Sequence, residues 1–135
     1  MRQIKFRVWS TQEKKYVDWT DDLFISCSGK IFENDYEANE DGTPIECMNG
    51  FDVEQFTGLH DKNGKEIYEG DIVHNISDVL LWDYSGIVKY DTHKECGYFI
   101  YLNTGKWSLQ NNSTKCELYV IGNIHENPEL LEATK

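Results

Sequence analysis

The sequence predicts a mainly β protein. An N-terminal β-hairpin region precedes a small β-barrel, and a short helix follows near the C-terminal end. Three observations predict this. First, β-formers are abundant: 4 Trp, 8 Tyr and 6 Phe accompany many Ile and Val, while helix formers are sparse. Second, short alternating runs recur, separated by Gly- and Asn-containing turns. Third, no segment sustains a helical period.

The first run is Ile4 to Trp9. Ile4, Phe6 and Val8 are expected on one face, Lys5, Arg7 and Trp9 on the other. Ser10 to Lys15 is polar and reads as a hairpin turn. Tyr16, Val17 and Trp19 return as a second strand. Leu23-Phe24-Ile25 and Lys30-Ile31-Phe32 flank a turn at Ser28-Gly29. Glu33 to Pro44 is acidic and polar, as a solvated loop is. It is the expected boundary between an N-terminal β region, 1–50, and a barrel domain, 51–135.

Phe51 to Val73 reads as strand, turn, short link, turn, strand. Phe51, Val53 and Gln55 alternate with Asp52, Glu54 and Phe56, with an imperfect period of two. Asn63-Gly64 supplies the positive φ of a tight hairpin turn. Glu69-Gly70-Asp71 reverses the chain into Ile72-Val73. Asp78 to Tyr84 reads as an apolar loop or a strand. Gly86 to Asp91 is expected to be a strand leaving a turn at Ser85-Gly86. Gly97 to Leu102 is another, Asn103-Thr104-Gly105 a turn, Asn111 to Thr114 a polar loop, and Glu117 to Gly122 the last strand. Short strands at even intervals argue a small closed barrel, because closure removes edges that would template aggregation. Asn127 as N-cap, Pro128 at the first position and Glu129 in the first turn predict a terminal helix.

The formal charge is −11 over 135 residues. Direct nucleic-acid binding needs clustered Lys and Arg, so this charge argues against it, and against anionic membrane surfaces. Its plainest role is solubility; a sharper one is to imitate nucleic acid toward a basic protein. Arg2, Lys5, Arg7, Lys14 and Lys15 concentrate positive charge near the start, which suits self-association with an acidic surface. The opening residues lack an apolar signal region, and no apolar run is long enough to span a bilayer. Cys27, Cys47, Cys96 and Cys116 are widely separated, without a Cys-x-x-Cys pair. A cytoplasmic protein with reduced thiols is expected.

The chemistry-bearing residues form no known catalytic signature. His93 and Cys96 have a His-x-x-Cys spacing, and Cys116 could approach them across a hairpin. A fourth ligand is missing unless His74, His125 or Cys47 supplies it. Asp61, Glu66, Glu69 and Asp71 crowd the Phe51 to Val73 stretch. A metal-assisted hydrolase would use such carboxylates in a cleft, but turn chemistry accounts for them more simply. Glu66 and Glu69 are expected to face solvent. There is no nucleophile elbow and no phosphate-binding glycine loop, so no catalytic residue, metal or cofactor is expected.

The aromatics are the remaining signal. Trp82, Tyr84, Tyr101 and Trp107 are the candidate protein-binding residues, since outward Trp and Tyr are enriched at interface hot spots. Tyr90 and Tyr98 add to the same surplus. Core packing is the competing account of all of them.

Three separated segments carry a family resemblance. Phe56-Thr57-Gly58-Leu59-His60-Asp61-Lys62-Asn63-Gly64-Lys65-Glu66-Ile67-Tyr68-Glu69-Gly70-Asp71-Ile72-Val73 resembles the hallmark of the YopX-like family. Ile4-Lys5-Phe6-Arg7-Val8-Trp9 is similar to the family's opening, with Ser10 where Asp is usual. Val120-Ile121-Gly122-Asn123-Ile124-His125-Glu126-Asn127-Pro128-Glu129-Leu130-Leu131 is similar to its ending. The segments fall in the family's order and span the chain. The resemblance implies a protein encoded by a bacteriophage or prophage, with a C-terminal SH3-like barrel. The family brings no established activity and no catalytic residues. The expected function is therefore non-enzymatic: an accessory protein that binds protein, either itself as a homo-oligomer or a host target. The alternatives are an acidic nucleic-acid mimic directed at a host defence protein, and a metal-assisted hydrolase.

Overall fold

The computed structural model describes residues 3–18, 22–34, 41, 43–47, 49–77, 82–92, 96–102, 105–110 and 117–132, with the side chains at 77, 82 and 132 excepted. The chain divides into two units, Arg7–Val53 and Met1–Phe6 with Glu54–Lys135.

β1 (Phe6–Ser10), which lies in the smaller unit from Arg7 onward, pairs antiparallel with β2 (Lys15–Tyr16), Trp9 opposite Tyr16. Ser10 makes the hairpin turn. Its carbonyl accepts the Lys14 N–H at 2.8 Å and its Oγ accepts the Glu13 N–H at 3.1 Å. Lys14 takes the left-handed conformation, φ 56°. The Tyr16 ring meets Trp9 edge-on at 5.0 Å and carries the Arg7 guanidinium at 4.5 Å.

The simple alternation expected for β1 does not hold. Val8 and Trp9 are both buried, whereas Ile4 and Phe6 are exposed. Period-two alternation assumes one dry and one wet face; a strand covered on both sides at one end buries consecutive residues. β3 (Leu23–Ile25), β4 (Ile31–Glu33) and β5 (Ile45–Glu46) form a three-stranded sheet in that order. Gly29, φ 86°, makes the expected turn between β3 and β4. Two-residue β5 was too short for the sequence to show. Trp19 and most of the acidic run lie outside the described residues.

β6 (Phe51–His60) passes from the smaller unit into the larger one. The larger unit continues with β7 (Glu66–Tyr68), β8 (Asp71–Ser77), β9 (Trp82–Asp91), β10 (Gly97–Leu102), β11 (Gly105–Ser108) and β12 (Glu117–Asn123). Five of these form an antiparallel sheet of order β11-β10-β9-β8-β12, curled as a half-barrel. Ile67, Val73, Val88, Ile100, Leu109 and Leu118 are its buried core, with Leu59, Tyr84, Tyr98 and Val120 packed against them.

No turn occurs at Ser85-Gly86: β9 runs straight through both. Gly86 serves a different purpose. A Cβ there would lie 2.6 Å from the Tyr101 carbonyl oxygen and 2.7 Å from Ile100 Cγ2, so its absence lets β9 and β10 approach closely. β11 likewise begins at Gly105, where the sequence predicts a turn. Residues 103 and 104 and the polar loop 111–114 lie outside the described residues, as do 78–81.

The expected C-terminal helix is present as α1 (Glu129–Glu132). Asn123 organises the turn before it: its Oδ1 accepts the His125 N–H at 3.0 Å and the Glu126 N–H at 2.9 Å. The Asn127 carboxamide oxygen accepts the Asn123 N–H at 3.3 Å, tying the two asparagines together.

Candidate protein-binding site

The pairing register sorts the four candidate aromatics. Ile100 lies opposite Val88 on β9 and opposite Trp107 on β11. Opposed residues share a face, so Trp107 stands on the side of the core residues Val88 and Ile100. Tyr84 is four residues before Val88 and belongs to the same face. It packs against the core and stacks on Trp107 at 6.1 Å, with the rings 25° from parallel. Trp107 nevertheless keeps 38% of its surface exposed. Tyr84 and Trp107 are thus a pre-ordered pair at the margin of the core.

Tyr101 lies opposite Ile87 and Lys106, on the other face. Lys89 Nζ sits 5.7 Å from its ring centre. Trp82 opens β9 opposite Ser77, and its side chain lies outside the described residues. The four candidates therefore do not make one surface: two meet, and a third is on the opposite side.

A groove of about 520 Å³ was not foreseen from sequence. It is bordered by Thr57–Leu59 of β6, Tyr90 near the end of β9, the start of β10, Ser108 at the end of β11, and Gln110 beyond it. Its β6 wall is a bulge. The β6–β7 register shifts between Phe56 and His60, and Gly58 takes φ 87°. Thr57 stitches the irregularity, its Oγ1 donating to the Ile67 carbonyl at 2.7 Å and accepting the Leu59 N–H at 3.2 Å. The trace of this in sequence is the broken alternation at Gln55-Phe56. Along β6 it is Glu54 and Phe56 that are buried, while Val53 is exposed.

The hallmark carboxylates are held by backbone donors. Asp61 Oδ1 accepts the N–H groups of Asn63 and Lys65, each at 2.9 Å, and Oδ2 accepts that of Val120 at 3.0 Å. Asp71 Oδ2 accepts the Tyr68 N–H at 2.8 Å. Glu69 is half-buried rather than solvent-facing, because its Oε1 accepts the Gln55 N–H at 2.8 Å. Glu66 is also half-buried and pairs with Lys5 at 2.7 Å. That hydrogen bond, opposed by partial desolvation, raises the Lys5 ammonium above its ordinary value.

Sequence reasoning missed the buried pair Glu54–His125, Oε2 to Nε2 at 3.1 Å. It joins β6 to the turn after β12, 71 residues away. Among the described residues, no three His, Cys, Asp or Glu side chains group as metal ligands. His93 and Cys116 lie outside them. No helix among the described residues is long and apolar enough to cross a membrane.

The YopX protein family matches residues 5–132. The chain belongs to the YopX family. A YopX-type fold extends over the whole chain in two solved structures. Protein EF1440 from Enterococcus faecalis is 27% identical, with 97% of this chain and 99% of that one covered, at a TM-score of 0.55. Protein YopX from Bacillus subtilis is 19% identical, with 97% and 99% covered, at a TM-score of 0.61; at that identity the likeness concerns the fold alone. No curated protein matches the chain.

Proposed function

We propose that this YopX-family member is a bacteriophage or prophage accessory protein that acts by binding protein, without catalysis, in the bacterial cytoplasm. The observation that carries the reading is the Tyr84–Trp107 stack, with Trp107 38% exposed. Two ordered aromatics lose little conformational freedom on binding, which is why such residues dominate interface energetics. The engagement of Asp61, Glu69 and Asp71 by backbone N–H groups supports the non-catalytic part: those carboxylates already have structural work.

Capture from host lysate with and without nuclease, compared between the wild type and Trp107→Ala, tests this reading. A nuclease-resistant host protein, or a defined homo-oligomer, that is lost in Trp107→Ala would support it. Equal recovery by both proteins, or only the monomeric bait from each, would overturn it.

A second reading, imitation of nucleic acid toward a basic host protein, draws on the charge distribution. Arg7–Val53 holds 11 acidic residues against 4 basic ones. A captured partner that is released by competing DNA would favour this second reading.

A further inference from the structure

β3 is an outer strand of the three-stranded sheet in the Arg7–Val53 unit. The Ser26 N–H donates to the Lys30 carbonyl at 2.8 Å, and the Asn34 N–H to the Asp22 carbonyl at 2.9 Å. Asp22, Phe24 and Ser26 therefore turn their backbone groups toward β4. The antiparallel alternation leaves the N–H and C=O groups of Leu23 and Ile25 on the outer edge. No hydrogen bond with the described residues occupies those four groups. Phe24 and Ile25 are 45% and 37% exposed.

Sheet edges are ordinarily blunted by Lys, Pro, a bulge or a covering segment. β12 is covered in this way: the Lys62 N–H donates to the Leu118 carbonyl, and Asp61 accepts the Val120 N–H. β3 carries no Lys, Pro or bulge, and its register with β4 is regular. An apolar edge with open backbone groups is a template for another strand.

The charge of the same unit selects the strand. Arg7–Val53 holds 11 acidic residues and 4 basic ones. Asp22 flanks β3, and Glu33 lies opposite Leu23. Lys15 and Lys30 are already paired, with Glu13 at 3.6 Å and Glu46 at 3.8 Å, and Arg7 lies on the Tyr16 ring. A second copy would bring like charge to this edge, whereas a basic strand brings the complement. We infer that a basic extended segment of a partner protein adds to β3 as a fourth strand of this sheet. Its backbone pairs with Leu23 and Ile25, its apolar side chains extend the surface of Phe24 and Ile25, and its Lys or Arg residues answer the unit's negative charge. This rests on the protein-binding reading and names the partner's chemistry.

The test uses the full chain and three short peptides: alternating lysine and valine, the same peptide N-methylated throughout, and alternating glutamate and valine. Amide hydrogen exchange of the ¹⁵N-labelled protein is followed at Leu23, Phe24 and Ile25. The expected result is saturable slowing at Leu23 and Ile25 with the lysine peptide. The Phe24 amide, which already faces β4, should change little. The N-methylated peptide should bind at least about tenfold more weakly, as the loss of one or two hydrogen bonds implies. Ile25→Pro removes one outward N–H and no bond to β4, and should weaken the lysine peptide likewise. Should that variant fail to fold, the N-methylated peptide decides. No protection at Leu23 and Ile25, or equal binding of the lysine peptide and either of the others, would overturn the inference. Protection that rises with protein concentration and not with peptide would also overturn it, and would assign the edge to a second copy. Should capture from lysate depend on Trp107 while the lysine peptide leaves both amides unprotected, protein binding stands and the edge assignment falls. Peptide pairing at β3 without any captured partner or oligomer retains the edge and removes the broader reading.

Discussion

Asp61 and Val120 are joined across 59 residues of chain: the Asp61 Oδ2 accepts the Val120 N–H at 3.0 Å. The same carboxylate closes the Asp61–Lys65 turn through Oδ1. One side chain thereby shapes the hairpin and docks it on β12. Lys62 N–H donating to the Leu118 carbonyl at 2.9 Å adds a second tie between the same segments.

Asp61→Ala removes the acceptor of three backbone N–H groups in a residue only 8% exposed. Hydrogen bonds to charged groups contribute about 1.5–3 kcal/mol each, with incomplete additivity. We expect a loss of about 3 kcal/mol in urea unfolding. A loss below about 0.5 kcal/mol would show that water or a shifted backbone replaces the carboxylate.

Gly86→Ala forces a methyl against the Tyr101 carbonyl and Ile100. Backbone cannot yield as a flexible side chain can, and overpacking of this kind costs about 1–3 kcal/mol. Gly29→Ala is a useful contrast, since no neighbour lies within 4 Å of a Cβ there and only the positive φ opposes it. Thermal unfolding should place Gly86→Ala clearly below Gly29→Ala. The reverse order would contradict the close approach of β9 and β10.

Glu54 and His125 should couple energetically. Both side chains are largely buried, and Glu54 Oε2 lies so near Gly70 that a Cβ there would clash with it. A double-mutant cycle with Glu54→Gln and His125→Phe is expected to give about 1–3 kcal/mol of interaction. Additive single effects would mean that the pair fills space without a specific bond.

Cys47 should resist alkylation relative to exposed Cys27 and Cys96. Burial, followed by the Glu33 charge, raises its thiol above the ordinary 9.0. Less thiolate at neutral pH means slower reaction, with the rate still climbing above pH 9. The sign for stability follows. Below the unfolded thiol's pKa both states are protonated. Above it the unfolded thiol ionises first, so this contribution is lost as pH rises through the folded value. Site-resolved mass spectrometry across pH 7 to 10 checks the order, which equal rates at the three cysteines would refute.

Much of this protein is determined by sequence alone, because the relevant physics is local. Asn63-Gly64, Ser28-Gly29 and Asn127-Pro128 announce turn or helix starts through backbone preference. The residue types of Gly97 to Leu102 announce a strand. Family membership is legible in three ordered segments. The tertiary structure decided the rest. Alternation divides a strand into two faces but does not say which is dry, and Glu54 with Phe56 won over Phe51 and Val53. A glycine in a strand reads like one in a turn until its neighbour is known, so Gly86 was misplaced. Pairing register, set by contacts far apart in sequence, separated Tyr101 from Tyr84 and Trp107. It also brought the β6 bulge to Tyr90 and Tyr98, creating a groove that no single segment contains.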